Sequence, residues 1–379
     1  MRETRTPGSA RGAPGDRRPY LNRKCKMETG MKRRRSTARV LSLTGLVLMA
    51  CLVDCVWSAE ASEKETFGAE ANPTGEPIGG GEGYSRWVER TDYRVETRDA
   101  LLMALGKAKA GQIVYVRDDS EIDFTGHRGI VIPEGVTLAS SRGKNGSEGA
   151  LLFTTEDKHT NGKPERFCLF MTGGPKVRVT GMRLRGPDPK VRGRYEYINS
   201  DGIQGNHDAL EVDNCEIWGW SHGGVYATEG TGVHVHHNFI HHCQRAGLGY
   251  GVVLNQAQVK IEANIFDYYR HAIAATGRSP SGYEARYNIA RQHATGHVFD
   301  MHGGRDRNDG TDVAGDWMKI HHNTFYSDRT PVVVRGRPTK ECVIHSNWFL
   351  HAETPMAAVR HAGNTRVYRN WYTQSKTLK

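Results

Sequence analysis

The hexapeptide IEANIF, residues 261–266, has six counterparts in the chain, each with an asparagine set among hydrophobic residues. The counterparts are VDNCEI (212–217), VHHNFI (235–240), ARYNIA (285–290), IHHNTF (320–325), IHSNWF (344–349) and VYRNWY (367–372). Successive asparagines are 24, 26, 24, 35, 24 and 23 residues apart. Because five of the six intervals are nearly equal, the sequence predicts a structural unit that repeats along the chain.

A period in the low twenties with short β-rich runs is typical of a parallel β-helix, in which successive coils stack on one another. Leucine-rich repeats have the same period, but their LxxLxL pattern is absent. Stacked asparagines can form a hydrogen-bonded ladder along the axis. We therefore predict an all-β, single-stranded parallel β-helix of about ten coils over residues 97–379. The ladder asparagines are Asn214, Asn238, Asn264, Asn288, Asn323, Asn347 and Asn370.

The N-terminal end of this repeat has the pattern of a short helix. Thr97 can serve as its N-cap and Gly111 can stop it, and leucines recur on one face between them. We expect this helix, within residues 97–110, to cap the open end of the β-helix.

The segment before the repeat predicts an export signal and a linker. The formal net charge is +10, but residues 1–61 hold 13 Lys and Arg against 5 Asp and Glu, so no global excess favours nucleic-acid binding. Met31 starts a basic stretch followed by an apolar region 11 residues long, which is too short for a membrane span. Ala59–Ala61 fits a cleavage site, whereas Cys51 fits a lipid anchor. We expect a secreted or periplasmic protein with a flexible linker over residues 62–96.

Equal offsets from the asparagines predict which side chains share a face. Eleven residues past them stand apolar or small side chains, expected to face the core: Val225, Gly249, Ala275, Phe299, Val334 and Ala358. Positions twelve and fourteen should then face outward. These outward residues include Tyr226, Tyr250, Arg278, Asp300, His302, Arg335, Arg337 and His361. A second polar file comprises His222, Arg245 and His271, with Tyr269 and Arg270 beside it.

On these repeats the chain resembles the pectate-lyase-like superfamily of right-handed parallel β-helices, over roughly residues 97–379. The resemblance implies an enzyme of the lyase, hydrolase or epimerase type that acts on polysaccharides, although one scaffold hosts many reactions. The segment NSDGI (199–203) is similar to the NTDGI motif of polygalacturonases. Ser221 and His222 stand where those hydrolases need a further pair of aspartates, so we expect Asp201 to belong to a turn.

A polysaccharide lyase needs a proton acceptor and a cation that stabilises the enolate. We predict His271 or His302 as the acceptor, Arg335 as the group that grips a carboxylate, and Tyr250 or Tyr269 as the acid. The predicted substrate-binding residues are Tyr226, Arg270, Arg278, Arg337, His361, His222 and Arg245. The predicted substrate is an acidic polysaccharide. A glycan-binding β-helix without activity, an accessory protein or a uronate epimerase remain alternatives.

The long interval places an insertion of roughly 11 residues after the outward residues of its coil. We expect the loop from Gly303 to Asp316 to form one wall of a cleft. Its carboxylates suggest Ca²⁺, with Asp300, Asp306 and Asp309 as ligands, and a solvated loop is the alternative.

Overall fold

The computed structural model describes residues 66–156, 166–188 and 198–372. The expected leader, with Met31 and Cys51, lies outside the described residues. In the described part, three parallel sheets run side by side, and each strand pairs with its equivalents one coil before and one coil after. The chain passes through sheets A, B and C in turn, which is the architecture of a parallel β-helix.

The strands are numbered in chain order and fall into the three sheets as follows. Sheet A contains β1 (Tyr93–Val95), β2 (Ile113–Val116), β5 (Thr137–Ala139), β8 (Arg178–Thr180), β11 (Glu211–Asp213), β14 (Val233–His236), β17 (Gln258–Glu262), β20 (Gly282–Arg286), β23 (Trp317–His321), β26 (Glu341–His345) and β29 (Thr365–Tyr368). Sheet B contains β3 (Glu121–Asp123), β6 (Leu151–Phe153), β9 (Arg183–Arg185), β12 (Glu216–Trp218), β15 (Phe239–Cys243), β18 (Ile265–Tyr269), β21 (Ile289–Ala290), β24 (Thr324–Phe325) and β27 (Trp348–Phe349). Sheet C contains β4 (Ile130–Ile132), β7 (Arg166–Thr172), β10 (Asn199–Gly205), β13 (Gly223–Ala227), β16 (Tyr250–Leu254), β19 (His271–Ala275), β22 (Phe299–Met301), β25 (Val332–Val334) and β28 (Val359–Arg360).

The helices are few and short. In the described part of the chain they are the α-helices α1 (Arg98–Lys107), α2 (Gly304–Arg307) and α3 (Pro355–Ala358), with two short 3-10 helices at Ala69–Ala71 and Lys144–Gly146. The side chain of Thr97 caps α1 by accepting a hydrogen bond from the backbone N–H of Ala100, and Leu101 and Leu105 enter the core. This helix packs against β1, β2 and β4, so it covers the N-terminal end of the core as predicted. Among the described residues, no helix has the length and apolar character needed to cross a membrane.

The asparagine ladder forms between sheets A and B. Asn238, Asn264 and Asn288 are fully buried, and each uses its backbone N–H and its side-chain amide to donate to the next asparagine at 3.0 Å or less. The file continues through Asn323, Asn347 and Asn370. The predicted ladder is therefore confirmed for these six residues.

The prediction for Asn214 was wrong by one position. The residue that donates its backbone N–H to Asn238 is Cys215, at 2.9 Å, so Cys215 occupies the ladder position in its coil. Asn214 has the left-handed backbone conformation, with φ of 54°, which His237 adopts one coil later. Asparagine tolerates this conformation well, which explains why it appears one residue early.

The expected core column was also partly wrong. In sheet C the inward row runs through Ile203, Val225, Val252, Ile273, Phe299 and Val332. Phe299 therefore lies between Ile273 and Val332, not between Ala275 and Val334. The turn from sheet B to sheet C changes length from coil to coil, so a constant offset from the asparagine does not select a constant position in sheet C.

Residues 66–95 are not the flexible linker that the sequence suggested. Tyr84 is fully buried, and its hydroxyl donates to Asp213 at 2.6 Å. The backbone N–H of Gly81 donates to Asn214 Oδ1 at 2.8 Å. A Cβ on Gly80 would lie 2.4 Å from the carbonyl oxygen of His237. The glycines of this segment thus permit close packing along the asparagine turns.

Candidate functional site

The outer side of sheet C carries a patch of polar and aromatic side chains separate from the core. Its strands also carry a file of glycines, Gly202, Gly224 and Gly251, on which a Cβ would be directed into the core. A Cβ on Gly251 would lie 2.8 Å from the ring of Phe266. Tyr250 precedes this file and packs with Val253 outside the main core.

Asp300 is the centre of the patch. Its side chain is fully buried, and Arg335 donates to both carboxylate oxygens, at 2.8 Å from Nε and 2.6 Å from Nη2. Nε2 of His302 lies 3.0 Å from Oδ2, and Nε2 of His297 lies 3.1 Å from Oδ1. Burial alone would raise the pKa of a carboxyl group, but the contacts with His297 and His302 hold the pKa of Asp300 well below its ordinary value. Asp300 is therefore an ionised carboxylate that organises the residues around it.

His271 lies beneath the ring of His297, with ring centroids 4.2 Å apart. Its Nδ1 contacts the carbonyl oxygen of His297, which only a protonated Nδ1 can satisfy. Burial lowers the pKa of His271 to about 3, so the ring is neutral and Nε2 carries a lone pair. Nε2 is 3.6 Å from Asp300 Oδ2 and has no hydrogen-bond partner. Since His271 is fully buried, it cannot reach a polysaccharide, and the prediction of His271 as the direct proton acceptor does not fit the structure.

The inserted loop is fixed beside this cluster. Asp306, in α2, accepts from Arg335 Nη1 and from the backbone N–H of Gly303, both at 3.0 Å. Arg307 donates to the carbonyl oxygens of Thr276 and Val313, at 2.8 and 2.9 Å. The loop therefore holds Arg335 from the side opposite Asp300.

The three carboxylates predicted to bind Ca²⁺ do not surround one point. Arg335 lies between Asp300 and Asp306, and Asp309 accepts from Arg307 and Thr311 within its own turn, at 2.7 Å in each case. Arg335 and Arg307 therefore pair with these carboxylates.

A groove of about 630 Å³ opens next to the Asp300 cluster. Arg270, Arg335 and Arg360 line it together with His297 and His361, and the rest of its lining is apolar. Among the described residues, no carboxylate lies within ion-pair distance of Arg270 or Arg360. The groove is therefore cationic and suited to an anionic ligand.

A second buried carboxylate lies on the same face nearer the N-terminus. Asp201 is fully buried, accepts two hydrogen bonds from Arg166 at 2.8 and 3.0 Å, and lies 2.6 Å from Nδ1 of His222. The guanidinium of Arg166 covers the ring of Tyr226 at 4.1 Å. The expectation that Asp201 belongs to a turn was wrong, because it lies within β10.

The structure sorts the remaining predicted residues into three groups. Tyr250, Arg270, His302 and Arg335 gather at the Asp300 cluster, with His361 on the rim of the groove. Arg278 and Arg337 are exposed beside the two ends of the loop, where Arg337 pairs with Asp312 at 3.2 Å.

Tyr269 and Arg245 do not belong to the surface. Tyr269 is in the core, and its hydroxyl donates to the carbonyl oxygen of Arg291 at 2.9 Å. Arg245 is buried and donates to Asn199 and to the carbonyl oxygen of Ile198. Both side chains stabilise the fold, and their predicted catalytic and binding roles are not supported by their positions.

Sequence reasoning missed His297, Arg360 and Arg166. His297 stacks on His271 from the next coil, but it stands nine residues past its asparagine whereas His271 stands seven past, so a count at constant offset does not select it. Arg360 stacks in the row of Asp300 and Val333. The variable turn before sheet C hid this row from an offset count.

Residues 168–295 match the family model of the right handed beta helix region. This match and the three parallel sheets confirm the predicted fold, including its handedness. No curated protein matches the chain. The relation to pectate lyases stays a resemblance, and the reaction has to be argued from the site.

Proposed function

We propose that this β-helix binds an acidic polysaccharide in the groove beside Asp300 and cleaves it by β-elimination. The observation that carries the proposal is the pair of groove arginines, Arg270 and Arg360, that no described carboxylate neutralises. Guanidinium groups bind carboxylates in a planar, two-point geometry. A uronate polymer offers one carboxylate on every acidic sugar, so repeated anionic groups along a chain suit a row of arginines.

His302 is the proton acceptor in this proposal. Its side chain is 27% exposed, and its Nε2 faces Asp300. When Nε2–H points to the carboxylate, Nδ1 carries the lone pair and is free to take the proton next to a uronate carboxylate. Asp300 orients the ring, and Arg335 and Asp306 position Asp300.

Arg335 has a different role from the one the sequence suggested. Four of its five N–H groups face Asp300, Asp306 and His297. It cannot also grip a substrate carboxylate in two-point geometry, and this task falls to Arg270 and Arg360. Tyr250, whose hydroxyl is 3.5 Å from Arg270 Nη1, is the acid candidate that remains near the groove.

Glycan binding without cleavage is the second candidate. The same saturation of Arg335 favours it, because a lyase would then depend on Arg270 and Arg360 alone to stabilise the enolate. An exported location, through the expected leader, belongs to both proposals because acidic polysaccharides are extracellular polymers.

The test is a screen of the purified protein against pectate, alginate, glucuronan and glycosaminoglycans, with binding and the ultraviolet absorbance of unsaturated products both measured. We expect one polymer to bind, and the double variant Arg270→Ala/Arg360→Ala to bind it at least about tenfold more weakly. Arg366→Ala is the matched control, because Arg366 is an exposed arginine on sheet A. Equal binding by the double variant would contradict the proposed groove. Binding without unsaturated product would select the second candidate.

A further inference from the structure

We propose that His271, His297 and Asp300 form a binding site for one divalent transition-metal ion such as Zn²⁺. Two imidazoles and one carboxylate form a donor set that suits zinc and its neighbours better than calcium, which prefers oxygen ligands alone. Binding of the ion does not depend on the proposed lyase activity. Its use in holding an anionic sugar does rest on that proposal.

The spacing of the three ligand atoms fits such an ion. Nε2 of His271 is 3.6 Å from Asp300 Oδ2, and Nε2 of His297 is 3.1 Å from Oδ1. One ligand atom from each residue lies within 4.8 Å of the others. Bonds of about 2.0–2.2 Å place tetrahedral ligands roughly 3.4 Å from one another. The observed distances lie on either side of that value.

The hydrogen bonding of His271 favours a cation. Its Nδ1–H donates to the carbonyl oxygen of His297, so the buried Nε2 presents a lone pair toward Asp300. Two acceptors thus face each other with no proton between them. Metal-binding histidines almost always donate their second ring N–H to a carbonyl or carboxylate, and His271 already has this support.

Arg335 is the competitor for this position, since its Nη2 is 2.9 Å from His297 Nε2. An ion at the site would repel the guanidinium. Asp306 already accepts from Nη1 at 3.0 Å and is a second carboxylate with which Arg335 can remain paired. The proposal therefore requires exchange between a guanidinium and a metal ion at Asp300.

Three protein ligands leave a fourth tetrahedral position open, as in catalytic zinc sites. His297 lines the groove, so we place the open position on the groove side. A carboxylate oxygen of an acidic sugar, or a water molecule, is the ligand that this position would take.

A second group of potential ligands, Glu211, His234 and His236, provides an internal control. Here each imidazole Nε2 has a partner already. His234 Nε2 lies 2.9 Å from Glu262, and His236 Nε2 lies 3.0 Å from Glu211 and 3.2 Å from Arg86. We therefore expect the ion at Asp300 and not at this group.

The test is calorimetric titration of the chelator-treated full chain with Zn²⁺, and with Co²⁺ to record the visible bands of tetrahedral coordination. We expect one ion per chain. His271→Gln should weaken binding at least about 100-fold, since even a lost supporting hydrogen bond costs 10–100-fold. His234→Ala should leave the affinity unchanged, and Arg335→Met should raise it by removing the competing cation.

Thermal melting of each variant separates lost binding from lost folding. Absence of stoichiometric binding by the wild type would overturn the proposal, as would loss of binding in His234→Ala with retention in His271→Gln. A lower affinity in Arg335→Met would also contradict it. None of these measurements uses a glycan, so failure of the metal-site proposal can be distinguished from failure of the lyase proposal.

Discussion

Asp300 shows how a single buried charge can determine the arrangement of a whole site. A carboxylate without solvent is costly unless cations and hydrogen-bond donors surround it. Arg335, His297 and His302 meet this need, and two of them, Arg335 and His297, also line the groove. The sequence placed Asp300, His302 and Arg335 on one face, but it could not show that Arg335 would form an ion pair with Asp300.

Phe299 lies in the same strand as Asp300, and its replacement tests whether its side chain faces the core. It is fully buried between Ile273 and Val332, with the ring of Phe325 at 4.9 Å. Phe299→Ala should reduce the free energy of unfolding by about 3–5 kcal/mol because it leaves a cavity. Urea denaturation measures this loss. The exposed Arg337, changed to Ala, should alter stability by less than about 0.5 kcal/mol, and equal losses in both variants would contradict the assignment.

Buried neutral histidines make stability depend on pH. Burial lowers the pKa of His237 and of His322 to about 4 and that of His271 to about 3, whereas an unfolded histidine has a pKa of about 6.5. Between these values the unfolded chain binds more protons, so stability is complete above about pH 6.5 and falls as the pH drops toward 4. The melting temperature should therefore decrease from pH 7.5 to about pH 5.

His322→Gln is the variant that isolates one contribution. It should show a shallower decrease over the same pH range, because a residue that does not titrate replaces one that does. A melting temperature that stays level or rises on acidification would rule out neutral, buried histidines in the folded state.

The asparagine ladder is the element that the sequence predicted best. The asparagine keeps the same structural position because the turn between sheets A and B has the same length in each coil from Asn238 onward. The outer face of sheet C was predicted less well, since the turn that precedes it varies in length. His297 and Arg360 were missed for this reason, and Phe299 was given the wrong neighbours.

Asn264→Ala should destabilise the fold by at least about 2 kcal/mol. Asn264 accepts from the backbone N–H of Asn238 and donates to the carbonyl oxygen of Val235, and both buried groups would lose a partner worth about 1–3 kcal/mol. Chemical denaturation gives the value. Asn370→Ala, at the partly exposed end of the ladder, is the control and should cost less. Equal losses of stability in the two variants would contradict the structural role of the buried ladder.

Across the whole molecule, stacking of coils turns distant residues into neighbours. Arg270, His297, Arg335 and Arg360 come from four successive coils, yet they border one groove. The repeat predicted this stacking from spacing alone. Spacing could not predict which charged side chains pair with one another, because this pairing depends on their arrangement in three dimensions.

The measurement that tests the account most directly is the initial rate of unsaturated-product formation from the bound polysaccharide, for the wild type and for His302→Ala at equal melting temperature. We predict a loss of at least about 100-fold in the variant, the usual contribution of a positioned proton acceptor, while the control His234→Ala keeps the wild-type rate. Wild-type activity that persists in His302→Ala would contradict the account and move the proton acceptor away from Asp300.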